Sequence, residues 1–206
     1  MTRRLRFLSA ALLTASLAPI FIYAHAGGPV VGKAGVPGEL VCTICHSGSA
    51  DSGPGSVRVT FTKGLVYRPG VKQRLVVTVA DPEQKRWGFE LTARQAANPK
   101  LQAGVFQSLD GNTQVLCADE RLMDRGEGPC PGTMPLQYAG HTGAGSRLGR
   151  TGSTTFQLEW IPPVSDIGPV TIYVAGNAAD GDNTPANDHI YTAQYTLVPA
   201  GRNPRR

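Results

Sequence analysis

Short runs of alternating apolar and polar residues, each ended by glycine or proline, constrain this chain more than any other feature. The 206 residues include 25 glycines and 16 prolines, and helix-period patterns are hard to find among them. Successive side chains of a strand point to opposite faces, so a period of two marks a strand with one buried face. Residues 56–62 (SVRVTFT) place Val57, Val59 and Phe61 together. Residues 71–81 follow the turn YRPG, and residues 87–95 align Trp87, Phe89 and Leu91. Residues 103–108 and 113–119 flank LDGN, an Asp-Gly hairpin signal. Residues 153–163 alternate Phe156, Leu158 and Trp160, and residues 168–177 and 188–198 complete the series. Eight or nine short strands separated by turn residues predict an all-β protein, an antiparallel β-sandwich. Residues 121–152 form a long glycine-rich stretch that reads as a structureless insertion.

The ends have their own signals. Arg3, Arg4 and Arg6 precede an apolar stretch, and Ala24-His25-Ala26 is a small-x-small cleavage site. That order reads as a secretory signal peptide over residues 1–26. The apolar run is short for a membrane span and Pro19 interrupts it, so no anchor is expected after cleavage. Losing three arginines and no acids takes the net charge from +5 to +2. Three of the remaining arginines (Arg202, Arg205, Arg206) lie in the basic tail, residues 199–206. No basic stripe interleaves with aromatics, so nucleic acid is not an expected partner. The mature chain, about 180 residues, suits one domain: a Gly/Ser/Pro-rich loop segment over 27–56, then the sandwich over 57–198. Export means an oxidising compartment, periplasmic or extracellular, where cysteines pair or are covalently used.

The order YRPGVKQRLVVTV, WGFELTARQ, AGVFQ, a strand cysteine, FQLEWIPP and GPVTIYVAGNAADGDNTPANDHIYTA resembles the reeler domain, most of all its bacterial, exported branch. The resemblance covers most of the mature chain. It implies an immunoglobulin-like sandwich outside the cytoplasm, and it implies no enzyme. Some animal members of the family are fused to electron-transfer modules.

Residues 42–46 read Cys-Thr-Ile-Cys-His. C-x-x-C-H is the attachment signature of c-type haem. Two thiols at that spacing reach the two vinyl groups of one porphyrin, and the following histidine falls under the iron. On this reading Cys42 and Cys45 form the thioethers and His46 is the proximal ligand. Cys117 and Cys130 are left over and should form a disulfide. Three alternatives stand beside it. Cys42 or Cys45 could bond to Cys117, with Cys130 taking the other. The reeler resemblance supports that pairing, because the family's early cysteine bonds to one in a later strand. Cys42 and Cys45 could bond to each other, although no thioredoxin-like pattern surrounds them. Four cysteines could bind zinc, although twelve residues separate Cys117 from Cys130.

A distal iron ligand would come from the remaining histidines and methionines. His141, in the glycine-rich stretch, is the first candidate, and its His-Thr pair also resembles the bacterial branch. Met134 is the alternative and would raise the reduction potential relative to a second histidine. His189 suits a local hydrogen bond better, and Met123 is the other methionine. Asp180, Asp182, Asn183 and Asp188 share one loop and could offer oxygen ligands to calcium. The same residues suit tight turns, and the EF-hand pattern is missing. Trp87 and Trp160 read as core, with a haem face as the other use for either. No nucleophile–base pair or carboxylate pair stands out, so no enzyme is expected. The expected function is electron transfer or redox sensing with a partner redox protein outside the cytoplasm. The alternative is a secreted adhesion or ligand-binding module with two structural disulfides and bound calcium.

Overall fold

A computed structural model describes residues 26–119 and 126–201. The strands in chain order are β1 (Ser56–Phe61), β2 (Val66–Tyr67), β3 (Gln73–Asp81), β4 (Arg86–Gln95), β5 (Asn98–Gln102) and β6 (Val105–Ser108). They continue as β7 (Thr113–Ala118), β8 (Gly126–Glu127), β9 (Leu136–His141), β10 (Gly152–Ile161), β11 (Val170–Ala179) and β12 (His189–Pro199). Two sheets form. One has the order β1-β3-β10-β6. The other runs β2-β12-β11-β4-β9-β7-β8, with β5 added beside β4. All pairs are antiparallel except β2 with β12. The protein is an all-β sandwich, as the alternation predicts.

The inner faces follow the sequence pattern. Leu75, Val77 and Val79 of β3 and Phe156, Leu158 and Trp160 of β10 are buried in one sheet. Trp87, Phe89 and Leu91 of β4 and Ile172 and Val174 of β11 oppose them. Phe89 meets Phe156 with ring centroids 4.5 Å apart, and Tyr67 meets Trp160 edge-on at 5.7 Å. Each such side chain, fully buried, contributes roughly 1.5–3 kcal/mol. Both tryptophans are therefore core residues, and each indole N–H donates to a backbone carbonyl, of Arg150 and Ala103 respectively.

Strand β4 departs from simple alternation because its other face is covered too. Glu90, Thr92 and Arg94 are also fully buried. Their cover is the segment before β1, predicted as loop. It has no strand, only an isolated bridge between Ala34 and Val41, yet it packs as a third layer. Val31, Ala34 and Val36 form a second apolar cluster with Leu116, Leu136, Tyr138 and Tyr173. Beside it lies a polar clasp. Glu39 accepts from Arg94 Nη2 at 3.0 Å and from the Tyr138 hydroxyl at 2.8 Å. Arg94 also donates to the Tyr138 hydroxyl, and Lys33 donates its backbone N–H to Glu90.

Two expectations are corrected. LDGN does not close a hairpin of paired strands. β6 pairs with β10 and β7 pairs with β9, so Asp110-Gly111 passes the chain from one sheet to the other. The turn chemistry is still local, since Asn112 N–H donates to Asp110 Oδ1 at 2.9 Å. The stretch 121–152 is not structureless throughout. Its middle is β9, whose six residues are all buried. A strand covered on both faces shows no alternation, so it has no period to read. Cys117 and Cys130 form the expected disulfide, across 13 positions of sequence. Closing a loop of that length stabilises by about 3 kcal/mol in the chain-entropy picture. The signal-peptide assignment (all but Ala26), Met123 and the tail arginines lie outside the described residues.

Burial, and next the neighbouring Glu39, push the Glu90 carboxyl up from 4.5 to about 8. A raised acid pKa means that the folded chain holds a proton the unfolded chain releases. Stability contributed by neutral Glu90 is full below about 4.5 and lost as pH rises towards about 8. Glu90→Gln should flatten that fall, measured as the difference from wild type in urea midpoints across the window. An unchanged pH profile would contradict the assignment.

Candidate functional site

The third layer ends in a cleft. After the clasp the chain makes a 3-10 turn at Cys42–Ile44, with Cys45 and His46 N–H groups both bonded to the Cys42 carbonyl. Ser47 N–H then bonds to Pro185 O and Asp51 N–H to Ile190 O, fixing the segment along the β11–β12 connection. The turn delivers Cys42, Cys45 and His46 to one wall of a cleft whose cavity volume is about 90 Å³. His141 stands in the same cleft, 95 positions away in sequence by its residue number. The exposed lining is mostly apolar, with Trp87, Phe89, Pro29, Val30 and Ile44 contributing.

Both histidines are held. His46 Nδ1 lies 2.5 Å from Asp188 Oδ2, and Asn177 Nδ2 lies 3.3 Å from His46 Nδ1 and 3.2 Å from Nε2. His141 is 8 % exposed, so it is not the swinging loop residue its glycine-rich flanks suggest. It ends β9, where the β4–β9 ladder stops at Glu90 and Gly140. There its Nδ1 lies 3.2 Å from the Phe89 backbone nitrogen and 3.4 Å from the Phe89 carbonyl. The imidazole continues the ladder that the backbone leaves.

Glycine makes the seat. A Cβ on Gly88 would lie 2.7 Å from Cε1 of His141, 3.1 Å from Nδ1 and 3.2 Å from Nε2. Gly88 faces Asn177 across β4 and β11. One cross-strand row thus supports both imidazoles, His141 against Gly88 and His46 against Asn177. The sequence carried a hint of this, since a glycine inside a strand run marks close approach by another group. Gly140 does the same for the cover, as a Cβ there would meet Pro29 at 2.6 Å.

Cys42 and Cys45 are both unpaired thiols, the first half-buried and the second exposed. Burial, reinforced by Glu90, pushes the Cys42 thiol up to about 12, so it stays protonated and a poor nucleophile near neutrality. Because Cys117 is bonded to Cys130, the pairing of Cys117 with Cys42 or Cys45 is not the one adopted. Among the described residues, one His/Cys/Asp/Glu group converges tightly enough for a single ion: Asp81, Glu83 and His189. The Cys-x-x-Cys-His side chains do not join such a group.

The remaining candidates lie elsewhere or serve other partners. Met134 is not in the cleft wall; its N–H bonds to Pro131 O in the turn before β9. His189 opens β12 with Nδ1 2.7 Å from Asp81 Oδ2. In the acidic loop, Asp180 accepts from Asp182 N–H, and Asp182 accepts from the N–H and hydroxyl of Thr184. Asn183 accepts from Arg86, and Asp188 turns to His46. These four side chains are directed to four separate partners, which fits the turn reading of the loop. Sequence reasoning missed Gly88, and gave Asp188 a different task.

No protein-family profile matches the sequence, and no curated protein matches it. Among solved structures, the human F-spondin reeler domain is 19% identical, with a TM-score of 0.45 over 73% of this chain and 94% of that one. The Reelin-N domain of F-spondin is 21% identical, TM-score 0.42, over 74% and 91%. An immunoglobulin-like protein from Nocardia farcinica is 10% identical, TM-score 0.37, over 70% and 97%. The likeness is of architecture, at low sequence identity.

Gly88→Ala should push His141 off the Phe89 backbone and cost about 1–3 kcal/mol, the usual range for overpacking. The His141 ring resonances should shift in NMR spectra while those of His189 hold. An undisturbed His141 would show that the glycine is not its seat.

Proposed function

We propose that this chain is an exported reeler-like domain carrying one covalent c-type haem in the cleft, and that it transfers electrons or senses redox state outside the cytoplasm. The observation that carries this reading is the meeting of Cys42, Cys45 and His46 with His141 in one apolar cleft, while the other two cysteines bond to each other. The residues fit the group. Two unpaired thiols sit at the attachment spacing, imidazoles come from two different elements, and the lining is largely apolar. The orphaned oxygens of Asp188 and Asn177 also lie in side chains of this cleft.

Bound haem would supply a reversible one-electron couple. The chain's own residues supply the rest. Cys42 and Cys45 would hold the group through thioethers, and His46 and His141 would offer it their imidazole nitrogens. Nδ1 of His141 accepts from the Phe89 N–H at 3.2 Å, so ligation through Nε2 would require the ring to exchange that bond for donation from Nδ1 to the Phe89 carbonyl at 3.4 Å. Trp87 and Phe89 keep one wall dry, which strengthens every electrostatic influence on the couple. Exposed Ile44 and Leu40 follow the same segment at the surface, near where a redox partner would approach. The disulfide Cys117–Cys130 is consistent with an oxidising compartment. Among the described residues no helix is long and apolar enough to cross a membrane.

The test is spectroscopic. Protein matured with haem-attachment machinery should show a low-spin spectrum. His141→Ala should convert it to high-spin with the haem still covalently bound. Cys42→Ser with Cys45→Ser should abolish covalent haem while the sandwich still folds. A low-spin spectrum unchanged by His141→Ala would remove His141 as the ligand, and colourless matured protein would remove the reading.

A further inference from the structure

We propose that Asp188 is the positioning residue of the cleft: it fixes His46 as the Nδ1–H tautomer, turns its Nε2 towards the cofactor side, and holds the reduction potential low. The proposal rests on the haem reading above and concerns how that site is tuned.

The geometry is direct. Asp188 is 4 % exposed, and its Oδ2 lies 2.5 Å from His46 Nδ1. A carboxylate only accepts hydrogen bonds, so the proton between them belongs to the imidazole. Asn177 Nδ2 lies 3.3 Å from Nδ1 and 3.2 Å from Nε2, so it packs against the ring without choosing between the nitrogens, and the Asp188 contact alone sets the tautomer. A neutral imidazole protonated at Nδ1 and bare at Nε2 is the form that binds a metal. Asn177 and His46 both line the cleft.

The charge on Asp188 has few other outlets. Its Oδ1 is buried with no hydrogen-bond partner, so its one strong contact is with His46. Burying a carboxylate so sparsely served is costly unless a partner compensates it. A metal-ligating histidine whose other nitrogen donates to a carboxylate becomes a more basic ligand. More basic ligation favours the oxidised, more positive iron, which lowers the potential. Asp188 is 142 positions from His46 in sequence, so the pair is created by the fold, where the 3-10 turn meets the β11–β12 connection.

The test uses Asp188→Asn in full-length protein with haem attached, checked first by covalent retention of colour. The amide still fills the space but carries no charge. The expected result is a reduction potential raised so that the reduced-to-oxidised ratio at a fixed potential increases about tenfold, equivalent to 59 mV for one electron. Asp188→Glu should recover part of the shift. In haem-free protein, ¹⁵N NMR of His46 should show the Nδ1–H tautomer in wild type and a tautomer mixture in Asp188→Asn. Covalent haem with an unchanged potential, or an unchanged tautomer, overturns the role of Asp188 and leaves the haem reading standing. Absence of covalent haem in wild type overturns both.

Discussion

The clasp of Arg94 with Glu39 and Tyr138 is the interaction on which the rest depends. Arg94 is a fully buried cation on the outer face of β4, and Glu39 is the carboxylate that meets it. A buried charge left unpaired costs several kcal/mol, so the segment carrying Glu39 is held against the sheet. The apolar contacts of Val31, Ala34 and Val36 add area to the same attachment. Without the clasp, a glycine- and proline-rich segment with one isolated bridge has little reason to stay. With it, the chain enters the turn at Cys42 in a fixed place, three residues beyond Glu39.

From that placement the cleft follows. A cover laid over a sheet leaves a gap where the cover turns away, and here the gap opens between the turn at Cys42 and the end of β9. Gly88 allows an imidazole into the gap, and Asn177 and Asp188 hold another across from it. The sandwich core supplies Trp87 and Phe89 as a rigid wall. A site built on strand ends and a clasped segment holds its geometry better than one on open loops. The exposed surface of the lining is mostly apolar, with Lys33, Arg86 and Asp188 as its charged members.

Much of this was legible in the sequence, and the parts that were not share a cause. Alternation in β3 and β10 announced strands buried on one face. It failed for β9, because Leu136 to His141 are buried on both. The Asp-Gly turn was read correctly as a turn, but a local signal cannot say which sheet the next strand joins. Cys42, Cys45 and His46 could be named from spacing alone, and the leftover pair Cys117 and Cys130 from counting. His141 was named from its residue type, yet its rigidity comes from Phe89 and Gly88, 52 and 53 positions earlier. Asp188 looked like a calcium or turn residue because it shares a loop with Asp180, Asp182 and Asn183. Its partner His46 lies at the other end of the chain. Local pattern finds candidates for a site, and the long-range pairing that assigns their tasks has no local signature.

The most direct measurement is the intact mass, under denaturing and reducing conditions, of the mature protein from cells that attach haem to exported chains. The account predicts the mass of the chain plus one haem, with the increment mapping to the peptide that holds Cys42 and Cys45. The bare chain mass, with both of those cysteines recovered as ordinary thiols, would contradict it.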